Sequence, residues 1–296
     1  MRQHPEHPQY PRRRGRGFNP RILIVLGLLL YGAYYYFSNR TVDPFTGEKV
    51  LIDKSLDASQ EEALGLQAYR QILQQERPLP ADAEISRQVQ AIATRLIDKI
   101  DEVEAALAEE VGVQAQNFSR GFQWQVSVLE SPQANAFALP GGKMAVYTGL
   151  VPVAQNADGM AVVMGHEIAH ALMRHGAQRM SRGKLEQIGA MAGAASGMDA
   201  QTQQMIFQAY GVTSQLPYAR AHESQADEVG LLLMAAACFN PAEAMPLWQR
   251  MGAQSGGKAP PEFASTHPSA ETRIRHLQSL QPKAMQYRQR FCQQGR

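Results

Sequence analysis

The chain has little cysteine: only Cys238 and Cys292 among 296 residues. Neither has a nearby cysteine or a histidine at a metal-ligand offset, which excludes a thiolate-built metal centre. Outside the cytoplasm the two could pair, but sequence alone does not bring their Cβ atoms together. The reading taken is one buried thiol and one near a mobile terminus. Acids are nearly missing from the first 21 positions, where Glu6 alone faces Arg2, Arg12, Arg13, Arg14, Arg16 and Arg21. The overall charge is only +2, and the basic cluster stops at an apolar run. That placement suits a topology signal and leaves no basic surface for nucleic acid.

Long apolar runs are also scarce. One extends from Ile22 to Phe37, broken only by small residues and fringed by Tyr31, Tyr34, Tyr35 and Tyr36. As a helix it is about 24 Å long, and flanking Tyr and Arg can complete a span. No small-residue cleavage site follows it, which argues against a removed signal peptide, and it is too hydrophobic for a transit peptide. The expectation is a disordered basic tail over 1–21, a single-pass signal anchor over 22–38, and everything after it on the far side. A second apolar stretch, Ile188 to Gly197, is too short to cross a bilayer.

Against these absences stands Gly165-His166-Glu167-Ile168-Ala169-His170-Ala171, in a stretch that reads as helix. Residues four apart share a helical face, so His166 and His170 can aim imidazole nitrogens at one ion. Glu167 beside them could take a proton from a bound water, the H-E-x-x-H arrangement of zinc hydrolases. An amphipathic helix that happens to carry two histidines is the plainer alternative.

The rest of the chain reads as α+β and mainly helical. Residues 39–58 form a turn-rich tether, and Ser59 to Glu62 has capping-box spacing for a helix through about Gln75. Apolar residues from Ile85 to Leu107 keep helical period over one long helix, about Ala83 to Glu110. Alternation at Phe122, Trp124, Val126 and Val128 predicts a strand, followed by short strands at Asn135–Leu139 and Lys143–Gly149. This three-stranded sheet would lie beside the metal-site helix, where the edge residues Asn135, Ala136 and Phe137 could pair with an extended substrate. The metal-site helix is expected to run to about Arg179, turning His175 to another face as a surface or supporting residue. Residues 183–216 read as loosely packed helix and loop, a candidate cover over the cleft.

A catalytic zinc needs a third protein ligand and an open position. Glu223 and Asp227 are four apart in an apolar stretch, so Glu223 could bind the ion and Asp227 could hydrogen-bond the far nitrogen of a ligating histidine. Such pairs are also common on solvated faces. Arg220 either neutralises an acid or lies at the surface, and His222 reads as structural or as supporting a ligand.

Taken together, these stretches resemble metallopeptidase family forty-eight, gluzincins that include HtpX-like proteases, CAAX prenyl proteases and Oma-type peptidases. The resemblance rests on Asn-Ala-Phe-Ala-Leu-Pro-Gly-Gly (135–142), Val-Tyr-Thr-Gly-Leu (146–150), Val-Met-Gly-His-Glu-Ile-Ala-His-Ala (163–171), Leu-Pro-Tyr-Ala-Arg-Ala-His-Glu-Ser-Gln-Ala-Asp-Glu-Val-Gly (216–230) and Ser-Thr-His-Pro-Ser (265–269). Ala219 departs from the serine often found in relatives. The resemblance implies a zincin-like domain over 59–282, followed by a tail over 283–296. It also implies one Zn2+ per chain on His166, His170 and Glu223, with Glu167 as general base and Asp227 supporting a ligand. His267 falls near the cleft in this pattern, where it could donate a hydrogen bond to the tetrahedral intermediate or cap the metal.

The implied activity is zinc endopeptidase action on unfolded or misassembled membrane or envelope polypeptides. A zinc-dependent chaperone or scaffold that binds without cutting is the alternative. The expected location is a bacterial inner membrane with the domain in the periplasm, the alternative being the mitochondrial inner membrane. Partners are polypeptide substrate and lipid bilayer, with no nucleic acid and an open oligomeric state.

Overall fold

The computed structural model describes residues 19–202, 204–205, 216–253 and 270–292. The basic tail before Asn19, with His4 and His7, lies outside them, as does His267.

Helix α1 (Pro20–Ser38) begins at Asn19, whose side chain accepts from the Arg21 N–H. Among the described residues it alone is long and apolar enough to cross a membrane. The expected tether is instead an antiparallel ribbon, β1 (Arg40–Val42) and β2 (Lys49–Leu51). Asp43 makes its turn by accepting the N–H groups of Phe45 and Thr46, and Phe45 is buried. Helix α2 (Ala58–Gln75) is capped by Asp57, which accepts from the Gln60 N–H at 2.9 Å, so the cap lies two residues before the expected Ser59.

The expected long helix is two: α3 (Glu84–Ile97) and α4 (Ile100–Glu110). Both keep the apolar pattern inward through Val89, Leu96, Val103 and Leu107, so periodicity does not betray the break at Asp98 and Lys99. The sheet has order β3-β5-β4, with β3 (Gln125–Leu129) parallel to β5 (Lys143–Tyr147) and β4 (Ala136–Leu139) antiparallel to it. Gly141 and Gly142 turn β4 into β5 at φ +77° and +82°, where a side chain would be strained and would meet Glu62 or Trp124.

After a single helical turn, α5 (Val151–Ala154), comes α6 (Ala157–Leu172), capped by Asn156. Every residue from Gly159 to Leu172 is buried, as expected for a helix apolar around most of its girth. Packed about it are α3, β4, α8 (Leu216–Ala236) and α9 (Ala244–Ala253). Helix α7 (His175–Ser196) lies alongside α1.

Helix α10 (Ala270–Cys292) runs well past Leu280, into what sequence reads as a tail. Pro282 suggests a stop, but Leu277, Ala284, Tyr287 and Phe291 keep one face in the core. Cys238, just beyond α8, is joined by a disulfide to Cys292 at the end of α10, with Cα atoms 5.3 Å apart. This corrects the expectation of two separate thiols: α10 returns its C-terminus to the end of α8, a proximity no local pattern encodes.

Candidate active site

The site is built where α6 crosses α8. A Cβ added at Gly165 would lie 2.8 Å from the Gly230 carbonyl oxygen, and one at Gly230 would lie 2.7 Å from the Gly165 carbonyl carbon and the His166 nitrogen. The two backbones therefore touch, which only glycine permits. Gly230 lies three residues after Asp227 and seven after Glu223, on the same helical face. The crossing thus delivers both carboxylates to the histidines of α6.

The Nε2 atoms of His166 and His170 are 3.1 Å apart, and each lies 3.4 Å from a Glu223 carboxylate oxygen. All three residues are buried, and their donor atoms lie within 4.8 Å of one another. Four donors about 2.05 Å from a tetrahedral ion are separated by about 3.3 Å, so this spacing fits zinc. Charge agrees. Glu223 and Asp227 are buried against one buried cation, Arg273, and Glu167 is buried on α6 next to His166, a surplus of negative charge that a divalent ion balances.

The histidines are oriented from behind. Asp227 Oδ1 stands 3.1 Å from His166 Nδ1 and accepts its proton, which points Nε2 at Glu223. Burial and Arg273 lower the His166 pKa, but Asp227 and Glu223 outweigh them and raise it to about 9 in the metal-free protein. Burial raises the Asp227 pKa, yet Arg273 and His166 bring it down to about 2. Arg273 Nε donates to Asp227 Oδ2 at 2.7 Å, its Nη1 lies 3.2 Å from Glu223 Oε2, and its guanidinium stacks 3.6 Å from the Trp248 ring centre.

Helix α6 does not reach Arg179. It ends at Leu172 because Arg174 takes a left-handed conformation (φ 54°), held by Glu61 at 3.0 Å and the Leu56 carbonyl at 2.8 Å. The turn swings His175 back into the protein, fully buried, with Nδ1 2.7 Å from His170 Nδ1. Burial, then His170 and His222, hold His175 well below its usual pKa, so it is neutral and its Nδ1 can accept the His170 N–H. His222 stacks on it at 3.9 Å and contacts Gln178 Oε1 at 3.1 Å.

Of the residues singled out from sequence, the structure brings His166, His170, Glu223 and Asp227 together, with Glu167 buried at the next position of α6. Arg220 is exposed, and Arg273 takes the place proposed for it. One sequence signal marks Arg273: it precedes Leu277 by four residues and thus sits on the apolar stripe of α10. The glycine pair left no signal without knowledge of the crossing.

Ala136 belongs to β4, an outer strand beside α6 whose only strand pairing among the described residues is with β5. The Asn135 carbonyl accepts from the Tyr147 N–H at 3.0 Å, and the Phe137 ring packs against Tyr147. Phe137 therefore supports the sheet with its side chain, and the backbone edge of β4 is what faces outward.

The profile of Peptidase family M48 matches residues 94–281. The chain is 33% identical over 262 residues to mitochondrial metalloendopeptidase OMA1 of Schizosaccharomyces pombe, covering 87% of this chain and 71% of that protein. It is 29% identical over 288 residues to the human mitochondrial metalloendopeptidase OMA1, spanning 51% of that protein's length. The beta-barrel assembly-enhancing protease of Escherichia coli is 30% identical over 160 residues, 50% of this chain and 32% of that one. With the profile covering most of the chain and a relative matched along most of both lengths, the chain belongs to peptidase family M48 and is a metalloendopeptidase.

Proposed function

We propose that this metalloendopeptidase is anchored by α1 in a bacterial inner membrane, faces the periplasm, and cleaves extended or unfolded segments of membrane and envelope proteins. The mitochondrial inner membrane is the alternative setting. The observation that carries the reading is the triangle of His166, His170 and Glu223 donors beside the outer strand β4. The Cys238–Cys292 disulfide supports an oxidising compartment.

His166, His170 and Glu223 would hold zinc, which when bound lowers the pKa of water towards about 7 and polarises a carbonyl. Glu167 takes the proton from the attacking water and returns it to the leaving amine. Asp227 and His175 fix which nitrogen of each histidine faces the donors, and Arg273 keeps Asp227 ionised and in place. The outer edge of β4 at Asn135, Ala136 and Phe137 aligns an extended chain by strand pairing, with Ala136 presenting its backbone away from β5. His267 lies outside the described residues, and its proposed part is a hydrogen bond to the developing oxyanion or a cap on the idle site.

The test is cleavage of an unfolded protein by the full chain in lipid vesicles with stoichiometric zinc, beside Glu167→Gln. Cleavage by the first alone, with zinc on both, supports the reading. If neither cuts although both bind zinc, His267→Ala separates a capped enzyme, which then cuts, from a protein that only binds polypeptide. Loss of zinc from both would sink the ligand assignment.

A further inference from the structure

Helix α7 shares the level of α1 along almost its whole length. Near the C-terminal end of α1, the Tyr35 hydroxyl donates to the Ser181 carbonyl at 3.3 Å, and Lys184 Nζ lies 5.0 Å from the Tyr35 ring centre. One turn earlier in α1, a Cβ on Gly32 would sit 3.4 Å from Ile188 Cγ2 and 3.8 Å from Leu185 Cδ1. At the N-terminal end, a Cβ on Gly197 would sit 3.6 Å from Arg21 Nη1. The helices are antiparallel, and the two separations agree: Ser181 to Gly197 is about 24 Å and Tyr35 to Arg21 about 21 Å at 1.5 Å per residue.

From these contacts we infer that the second half of α7, Leu185 to Gly197, is embedded in the same bilayer as α1. The inference rests on the reading of α1 as the membrane anchor. Any slab that takes in α1 between Arg21 and Tyr35 takes in this part of α7 as well. Its composition suits that slab. Glu186 is its one charge, two residues from Lys184 at the interfacial end, and Ile188 to Gly197 carries none. Large apolar residues are exposed on both helices, Met191 at 58% and Leu23 and Leu30 of α1 at 57% and 70%, while the exposed polar residues of this part of α7 are Gln187 near its interfacial end and Ser196, whose hydroxyl donates to the Gly193 carbonyl. Such a surface is costly in water and at rest in lipid. A helix also satisfies its own backbone groups, as the hydrocarbon requires. The closely packed side joins Gly32 to Ile188, the small-residue contact by which membrane helices associate.

Sequence length alone rejects Ile188 to Gly197 as a span. The structure adds Leu185, Glu186 and Gln187 to the same continuous helix and supplies α1 as a partner. Because His170 and Glu223 meet at one site, the embedded part of α7 does not set the two halves of the domain on opposite sides of the bilayer. The other end of α7 is His175, against His170. Nine residues of helix separate His175 from Lys184, so the site stands about 14 Å beyond the interface measured along the helix. Substrate bonds within that reach of the membrane are the ones presented to it.

The experiment uses the full chain in vesicles of phosphatidylcholine and phosphatidylglycerol. A polarity-sensitive fluorophore is placed on one introduced cysteine at a time: Met191→Cys, Leu26→Cys or Gln88→Cys, each exposed in the protein. The native cysteines are paired and do not label. Retained zinc binding checks that each variant is folded. Lipids brominated mid-chain should quench the probes at Met191 and Leu26 to a similar extent, with blue-shifted emission, and leave the probe at Gln88 unaffected. Quenching at Leu26 without quenching at Met191 would overturn the inference and leave the anchor standing. Quenching at neither would overturn the anchor reading and this inference with it.

Discussion

The Gly165–Gly230 crossing makes a demanding prediction for Gly230→Ala. The new Cβ would start 2.7 Å from the Gly165 carbonyl carbon and the His166 nitrogen. Ordinary carbon contacts begin at about 3.5 Å, so α8 must withdraw by about 0.8 Å. Both obstacles are backbone atoms in the buried stretch of α6, Gly159 to Leu172, and cannot swing aside. Two opposing terms then act on stability. Alanine in a helix gains about 1 kcal/mol over glycine, while overpacking costs about 1–3 kcal/mol. The net loss is small, so melting temperature is a blunt readout. Zinc affinity is sharper, because metal sites hold their distances to about 0.2 Å and Glu223 travels with α8. A weakening of about 10- to 100-fold is expected, measured by competition with a chromophoric chelator. Gly183→Ala is the control, since a Cβ there meets nothing within 4 Å. It should leave affinity unchanged and raise stability slightly. If Gly230→Ala binds zinc as tightly as the parent and melts no lower, the close crossing is not what sets the ligand geometry.

Three further outcomes follow from the packing. Arg273→Met leaves Asp227 buried without its cation and should cost about 3–5 kcal/mol in urea unfolding, while an unchanged midpoint would refute the pairing. Reducing Cys238–Cys292 releases a loop closed across a separation of 54 residues, worth up to about 4 kcal/mol by chain entropy, visible as a lowered denaturation midpoint in a phosphine reductant. Burial raises the Asp53 pKa, but Lys184, Ser55 and Tyr35 hydrogen-bond the carboxylate and bring it to about 2. A depressed folded pKa stabilises fully above the unfolded value of about 3.9 and is lost as pH falls towards 2, so Asp53→Asn should flatten the acid side of the stability curve between those limits. Equal acid slopes in parent and variant would count against it.

Local chemistry made much of this legible. The H-E-x-x-H spacing, the E-x-x-x-D spacing and the alternation at Phe122 to Val128 each follow from a repeat of 3.6 or 2 residues, and the structure places those elements accordingly. What sequence missed depends on contacts between distant residues. Arg174 ends α6 in a left-handed conformation because Glu61, 113 positions away, holds its guanidinium. That turn is why His175 faces His170 instead of solvent. Pro282 lies within α10 because the helix is pinned along its core face and by the disulfide at its end. The ribbon at Arg40–Leu51 has strands of three residues each, too short for any periodicity to register.

The charge at the site has a consequence for loading. Two buried carboxylates, Glu223 and Asp227, face one guanidinium with Glu167 buried on α6, and before a metal binds part of the negative surplus is met by a proton on His166, whose pKa is raised to about 9. A metal ion needs the lone pairs of both histidines, so it must displace the proton. Zinc titrated into the metal-free protein near pH 7.5 should therefore release about one proton per ion, read as a dependence of binding enthalpy on the ionisation enthalpy of the buffer. The release should fade as pH rises through about 9, where His166 is already neutral before zinc arrives. Binding that releases no proton near neutrality would mean that the carboxylates do not hold His166 charged, and that the cluster meets its negative surplus in another way.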